Sequence, residues 1–256
     1  MLLHGWADSG ETFQFLVDCL PDEWSLAALD WRGFGRSEWR SGGYWFPDYL
    51  ADLDALLDAL SPGAPARVVG HSMGGNVLSL YGGARSERLA RIAIMEGFGL
   101  PRSDVNTAPA RYREWLEQLR AEPPRFASYA SYGGFASFLA RRNPRLPVAH
   151  AQFIARAWGE ERDGRIVLRS DAAHKLVNPV LYRRDEAEAC WKNIMVPVLL
   201  VLGGRSEFLQ RPGADGDANV LAQKFPNAEV VVLPGCGHML HHEDPRAVAD
   251  ILTAFF

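Results

Sequence analysis

Gly70-His71-Ser72-Met73-Gly74 follows the β-rich run Arg67-Val68-Val69 and precedes a helix-compatible stretch, Asn76 to Tyr81. A serine at its ordinary pKa is a weak nucleophile, so it must be thrust from a tight turn toward a base. The flanking glycines leave room for that turn, and the amide of Met73 can face the oxygen that becomes negative when a carbonyl is attacked. The bare pattern also fits an ordinary Gly/Ser turn. The strand-turn-helix context is what selects Ser72 as nucleophile.

A base is offered by Leu233-Pro234-Gly235-Cys236-Gly237-His238, between a strand ending at Leu233 and a helix beginning near Pro245. An imidazole titrates near neutrality, so His238 can take the serine proton and return it to a leaving group. The alternative is a loop histidine that caps or packs. His238, His241, His242 and Glu243 also suggest a metal cluster, but no second ligand-rich segment accompanies them; the expectation is no metal site, with His241 and His242 on a loop-to-helix surface. Cys236 reads as a small residue beside the base. His4-Gly5-Trp6 follows a strand remnant, and the Trp6 amide can join that of Met73 as an oxyanion donor. One such donor contributes on the order of 3 kcal/mol to a transition state.

These residues need elements to hold them. Short β-rich runs at Ser25–Leu29, Arg67–Gly70, Ile92–Met95, Val196–Leu202 and Glu229–Leu233 alternate with amphipathic stretches, which predicts an α/β fold on a parallel sheet. Tyr49, Leu50, Leu53, Leu56, Leu57 and Leu60 recur at three- and four-residue intervals and predict a helix with one buried stripe, ended by Pro62-Gly63. Met1-Leu2-Leu3 reads as the end of a strand. Residues 97 to 190 break the alternation, are rich in aromatics such as Trp115, Tyr129, Tyr132, Phe135, Phe138, Phe153 and Trp158, and read as helical.

Composition excludes several classes. With 256 residues, 48% apolar and a net charge of −4, the chain can bury a core, and disorder is not expected. Lys and Arg number 27 against 31 Asp and Glu, which gives no footprint for nucleic acid. Val196–Leu202 is the longest strongly apolar run, so neither a membrane span nor a signal peptide is expected. Three scattered cysteines favour a reducing compartment, with the cytoplasm as the default. Gly33-Phe34-Gly35 lacks the rest of a dinucleotide fingerprint, and no cofactor is expected.

Together, His4-Gly5-Trp6, Asp30-Trp31-Arg32-Gly33-Phe34-Gly35-Arg36-Ser37, Gly70 to Gly75 and Gly237-His238 resemble, in order, the motifs of the α/β-hydrolase superfamily. The resemblance spans nearly the whole chain. It implies a mostly parallel central sheet, eight-stranded in the family and flanked by helices. A helical cap follows the sixth strand, giving a core of residues 1–96 and 191–256 and a cap of residues 97–190. It also implies that Asp30 to Ser37 buttress the site without chemistry of their own.

Two departures stand out. Most relatives carry the catalytic acid three residues after the glycine closing their seventh strand; counting from Gly203 gives Ser206, which cannot serve, and counting from Gly204 gives Glu207. Some relatives place it after the sixth strand, where Ile92-Ala93-Ile94-Met95-Glu96-Gly97 offers Glu96. Glu96 is the preferred acid, with Glu207, Asp215 and Asp217 as alternatives. The family's first two strands have no counterpart, so Ser25–Leu29 should lie at an open sheet edge. The expectation is that the natural chain begins upstream or that another subunit covers this edge.

The implied function is a serine hydrolase acting on a small carboxylic ester through an acyl-enzyme, with Ser72, His238 and Glu96 as triad and the Trp6 and Met73 amides as oxyanion hole. Thioesters, lactones and carbon–carbon bonds beside a carbonyl remain open, as does a slow-turnover ligand-binding or signalling protein. The expected partner is a small-molecule ester, with no nucleic acid and no membrane, and the chain a monomer or homodimer.

Overall fold

The computed structural model describes residues 1–207 and 217–256. In chain order, β1 (Leu2–Leu3), α1 (Gln14–Val17), β2 (Ala28–Leu29) and α2 (Phe46–Leu60) lead to β3 (Ala66–His71), α3 (Met73–Ala84) and β4 (Leu89–Met95). Next come α4 (Ala108–Gln118), α5 (Tyr132–Arg142), α6 (Val148–Trp158), β5 (Gly159–Arg162), β6 (Arg165–Leu168) and α7 (Arg184–Lys192). The chain finishes with β7 (Val198–Gly203), α8 (Ala218–Ala222), β8 (Ala228–Leu233), α9 (Leu240–Glu243) and α10 (Pro245–Phe255).

Among the described residues the main sheet has six strands in the order β2-β1-β3-β4-β7-β8, every neighbouring pair parallel. Such strands are covered on both faces and must be apolar in both directions. In β4, Ile92 and Ile94 pack with Leu53, Leu57, Val77 and Trp191 beneath α2, α3 and α7. The intervening Ala93 and Met95 pack with Phe13, Leu16, Val248 and Leu252 beneath α1 and α10. The continuous apolar run read from the sequence is therefore two interleaved faces. The predicted strand at Ser25–Leu29 is shortened to Ala28–Leu29 and lies at the sheet edge, as expected.

Residues 97–190 are not wholly helical. β5 and β6 form an antiparallel hairpin whose turn, Asp163-Gly164, has φ of 50° and 70°. Asp-Gly between strand-compatible residues is a strong two-residue hairpin signal, and the helical reading overlooked it. The hairpin, α5 and α6 enclose a separate small core of Phe135, Leu139, Leu146, Ala151, Ile154 and Ile166. Tyr129 stacks on Phe135 at 4.3 Å between ring centroids. α7 instead turns Ala187 and Trp191 into the core beside α3. Among the described residues no helix is long and apolar enough to cross a membrane.

Backbone hydrogen bonds tie the insertion to the loop after β2. Gly35 N–H donates to the Arg169 carbonyl at 2.8 Å, and Asp171 N–H donates to that of Gly33 at 2.8 Å. Tyr44 adds a hydroxyl bond to Asp171 at 2.8 Å. Within Asp30 to Ser37, Asp30 accepts from the amides of Gly10 and Arg36, and Gly33 and Gly35 hold residues 169 and 171.

Candidate active site

Ser72, Glu96 and His238 follow β3, β4 and β8 at the carboxyl edge of the sheet, where groups from separate strands converge in open parallel sheets. Ser72 has φ of 50° and ψ of −112°, a left-handed backbone that costs a non-glycine residue of order 1–3 kcal/mol. Its surroundings hold it there: its amide donates to the Met95 carbonyl at 2.8 Å and its carbonyl accepts from Asn76 at 3.0 Å. Both flanking glycines are required. A Cβ on Gly70 would meet the Gly74 carbonyl oxygen at 2.6 Å, and one on Gly74 would meet that of Leu3 at 2.3 Å.

His238 Nε2 lies 3.0 Å from Ser72 Oγ, and its Nδ1 lies 3.0 Å from Glu96 Oε2. Glu96 is 4% exposed. Its Oε1 accepts the Gly203 amide at 2.7 Å, and its Oε2 accepts the Ser206 hydroxyl. A carboxylate facing Nδ1 places the proton there and leaves the Nε2 lone pair for the serine. The three side chains thus form one hydrogen-bonded chain ending in a doubly supported carboxylate.

The other carboxylates are elsewhere. Glu207 is exposed, Asp217 caps α8 by accepting the Asn219 amide at 2.8 Å, and Asp215 lies outside the described residues. Ser206, which cannot serve as an acid, donates its hydroxyl to Glu96. The signal for that role was its position, three residues past Gly203.

Met73 opens α3, so its amide is among the unpaired donors at a helix N-terminus. Among the described residues neither it nor the Trp6 amide has a hydrogen-bond partner. The Trp6 loop lies hard against the nucleophile turn, since a Cβ on Gly5 would sit 3.2 Å from Ser72 Cβ. His4, fully buried, anchors this loop: its Nδ1–H donates to the Gly5 carbonyl at 2.6 Å and its Nε2 accepts the Trp31 amide at 2.9 Å. Trp6 is 49% exposed and tilts onto Phe126 of the insertion at 5.9 Å.

His241 and His242 do not lie on a surface; they are 0% and 1% exposed. The turn from Gly237 into α9 folds back under β3 and α1, so both rings point inward. Glu243 holds this turn by accepting the Gly237 amide at 2.7 Å, Asn143 Nδ2 at 2.7 Å and Arg145 Nε at 2.7 Å. Burial would raise its carboxyl, yet those donors keep it below the usual carboxylate range. Cys236 is buried, and burial, with Glu243 and Asp244, pushes its thiol up to about 11, so it is not a thiolate at neutral pH.

The model of the alpha/beta hydrolase fold matches residues 1–245. The chain belongs to the α/β-hydrolase family. A serine hydrolase-like protein of Danio rerio is 27% identical over all of this chain and 80% of its own length. An esterase of Escherichia coli, YbfF, is 25% identical over all of this chain and 91% of its own. The crystal structure of a hypothetical protein from Pseudomonas aeruginosa PAO1 superposes with a TM-score of 0.86 at 28% identity, covering 100% of this chain and 90% of that one. Membership explains why residues so far apart in sequence meet at one sheet edge.

Proposed function

We propose that this α/β hydrolase is a serine hydrolase that cleaves a small carboxylic ester through an acyl-enzyme. The observation that carries the reading is the continuous run of hydrogen bonds from Ser72 Oγ through His238 to Glu96. His238 Nε2 takes the hydroxyl proton as Oγ attacks the ester carbonyl, and the oxyanion forms against the Trp6 and Met73 amides. Glu96 stabilises the imidazolium, held in place by Gly203 N–H and the Ser206 hydroxyl. The proton passes to the departing alcohol, and a water activated by the same imidazole releases the acid. Residues 97–190 act as a cap, with Trp6 and Phe126 at the opening.

The reading is tested with p-nitrophenyl esters of graded acyl length and a fluorophosphonate probe. Wild-type protein should release a p-nitrophenol burst and be labelled once, at Ser72. Ser72→Ala should lose labelling and drop kcat by about 10⁴–10⁶-fold. Labelling without turnover on any acyl length would instead indicate a slow-turnover ligand-binding protein.

A further inference from the structure

A second cluster of chemistry-bearing side chains lies directly beneath the nucleophile turn and takes no part in the mechanism above. Asp8, His71, His241 and His242 are 3%, 1%, 0% and 1% exposed. Asp8 Oδ1 is saturated: it accepts from the Ser9 amide at 2.8 Å, the Thr12 hydroxyl at 2.6 Å and Trp158 Nε1 at 2.8 Å. Its Oδ2 has no hydrogen-bond partner, and among the described residues no lysine or arginine pairs with it. His241 Nε2 stands 3.8 Å from Oδ2 and His242 Nε2 4.0 Å, both beyond hydrogen-bond length.

The histidines are equally unsatisfied. His71 Nε2 lies 2.9 Å from the His238 carbonyl, which can only accept, so Nε2 carries the proton and Nδ1 a lone pair. That Nδ1, both ring nitrogens of His241 and Nε2 of His242 are buried without a partner. A carboxylate oxygen and several unpartnered imidazole nitrogens converge in this buried space, each costly to leave bare.

We propose that Asp8, His71 and His241, with His242 as fourth donor, form a buried site for a divalent transition-metal cation of the zinc type. One donor atom each from Asp8, His71 and His241 lie within 4.8 Å of one another. Tetrahedral coordination at about 2.0–2.1 Å spaces donors by roughly 3.4 Å, so closure on the order of 1 Å suffices. Imidazole donors with a single carboxylate suit zinc, cobalt or nickel and not calcium or magnesium, which prefer oxygen. The ion would tie together four segments that already touch here: the loop after β1, the nucleophile turn, α9 and, through the Trp158 bond to Asp8, residues 97–190. His71 is the residue before Ser72 and donates to the carbonyl of His238, so the ion braces nucleophile and base from behind.

Cobalt(II) is the probe, titrated into chelator-treated protein and followed by its visible d–d absorption. One equivalent should bind with intense four-coordinate bands and raise Tm by at least roughly 4 °C at saturation. His238→Ala should bind cobalt as tightly as wild type, whereas His241→Gln and Asp8→Asn should each bind at least tenfold more weakly. X-ray absorption of the loaded wild-type protein gives a readout independent of how the variants fold, and should count two or three imidazoles and one carboxylate oxygen. Stoichiometric binding lost in His238→Ala but kept in His241→Gln would place the ion on the Ser72–His238 pair and overturn the proposal. No stoichiometric binding, or an all-oxygen shell, would overturn it equally.

Discussion

β4 and β7 run side by side in register, Met95 opposite Val201, and each ends in a loop that reaches the base. The family resemblance points to an acid after the strand in the place of β7; the carboxylate that meets His238 Nδ1 follows β4 instead. Glu96, with φ of 56°, turns its side chain across β7, where the Gly203 amide and the Ser206 hydroxyl meet it. The position three residues past the glycine of β7 thus still serves the histidine, one hydrogen bond removed. The position of a charge in space is what the imidazole requires, and neighbouring parallel strands can each deliver it.

Substitutions at the two ends can break or sharpen this comparison. Glu96→Gln should lower kcat by about 10³–10⁴-fold with little change in KM, because an amide offers a donor toward Nδ1 and inverts the tautomer. A fall of less than tenfold would return the acid to the β7 side. Adding Ser206→Asp to Glu96→Gln should recover kcat at least tenfold over the single variant, since residue 206 already reaches the Glu96 carboxylate; steady-state kinetics on one ester reads both. Ser206→Ala alone should cost about tenfold in kcat, the scale of one lost hydrogen bond to a charged acceptor. Glu207→Gln should stay within about twofold of wild type.

Residues 97–190 also bring a partly buried histidine against the loop after β2, and it makes stability depend on pH. His174 is sandwiched between Phe34 and Tyr44, and burial pushes its imidazole down to about 4. The unfolded imidazole takes a proton near pH 6.5. Between those values the unfolded chain binds more protons than the folded one, so this contribution is intact above about pH 6.5 and is lost as pH falls toward 4. Tm followed from pH 7.5 to 4.5 should decline less steeply in His174→Gln than in wild type. An unchanged slope would remove His174 as a cause.

What the sequence disclosed and what it hid follow a physical division. The tight turn at Ser72 and the helix stripe from Tyr49 to Leu60 are legible because turns and helical periodicity are local and leave marks in residue type. Glu96 was legible only as a preference over Glu207, since the choice rests on which side chain crosses β7, a matter of sheet register. The buried His241 and His242 were misplaced because a short polar stretch beside a loop looks the same whether it folds outward or under the sheet. The hairpin at Asp163-Gly164 was missed for the opposite reason: its signal was present, but the aromatic surroundings suggested helices.

The mooring between Gly33–Gly35 and Arg169–Asp171 is made largely of main-chain bonds. Such bonds are indifferent to which side chains the strands of polypeptide carry. Side chains along residues 97–190 can therefore change without loosening this attachment to the loop after β2.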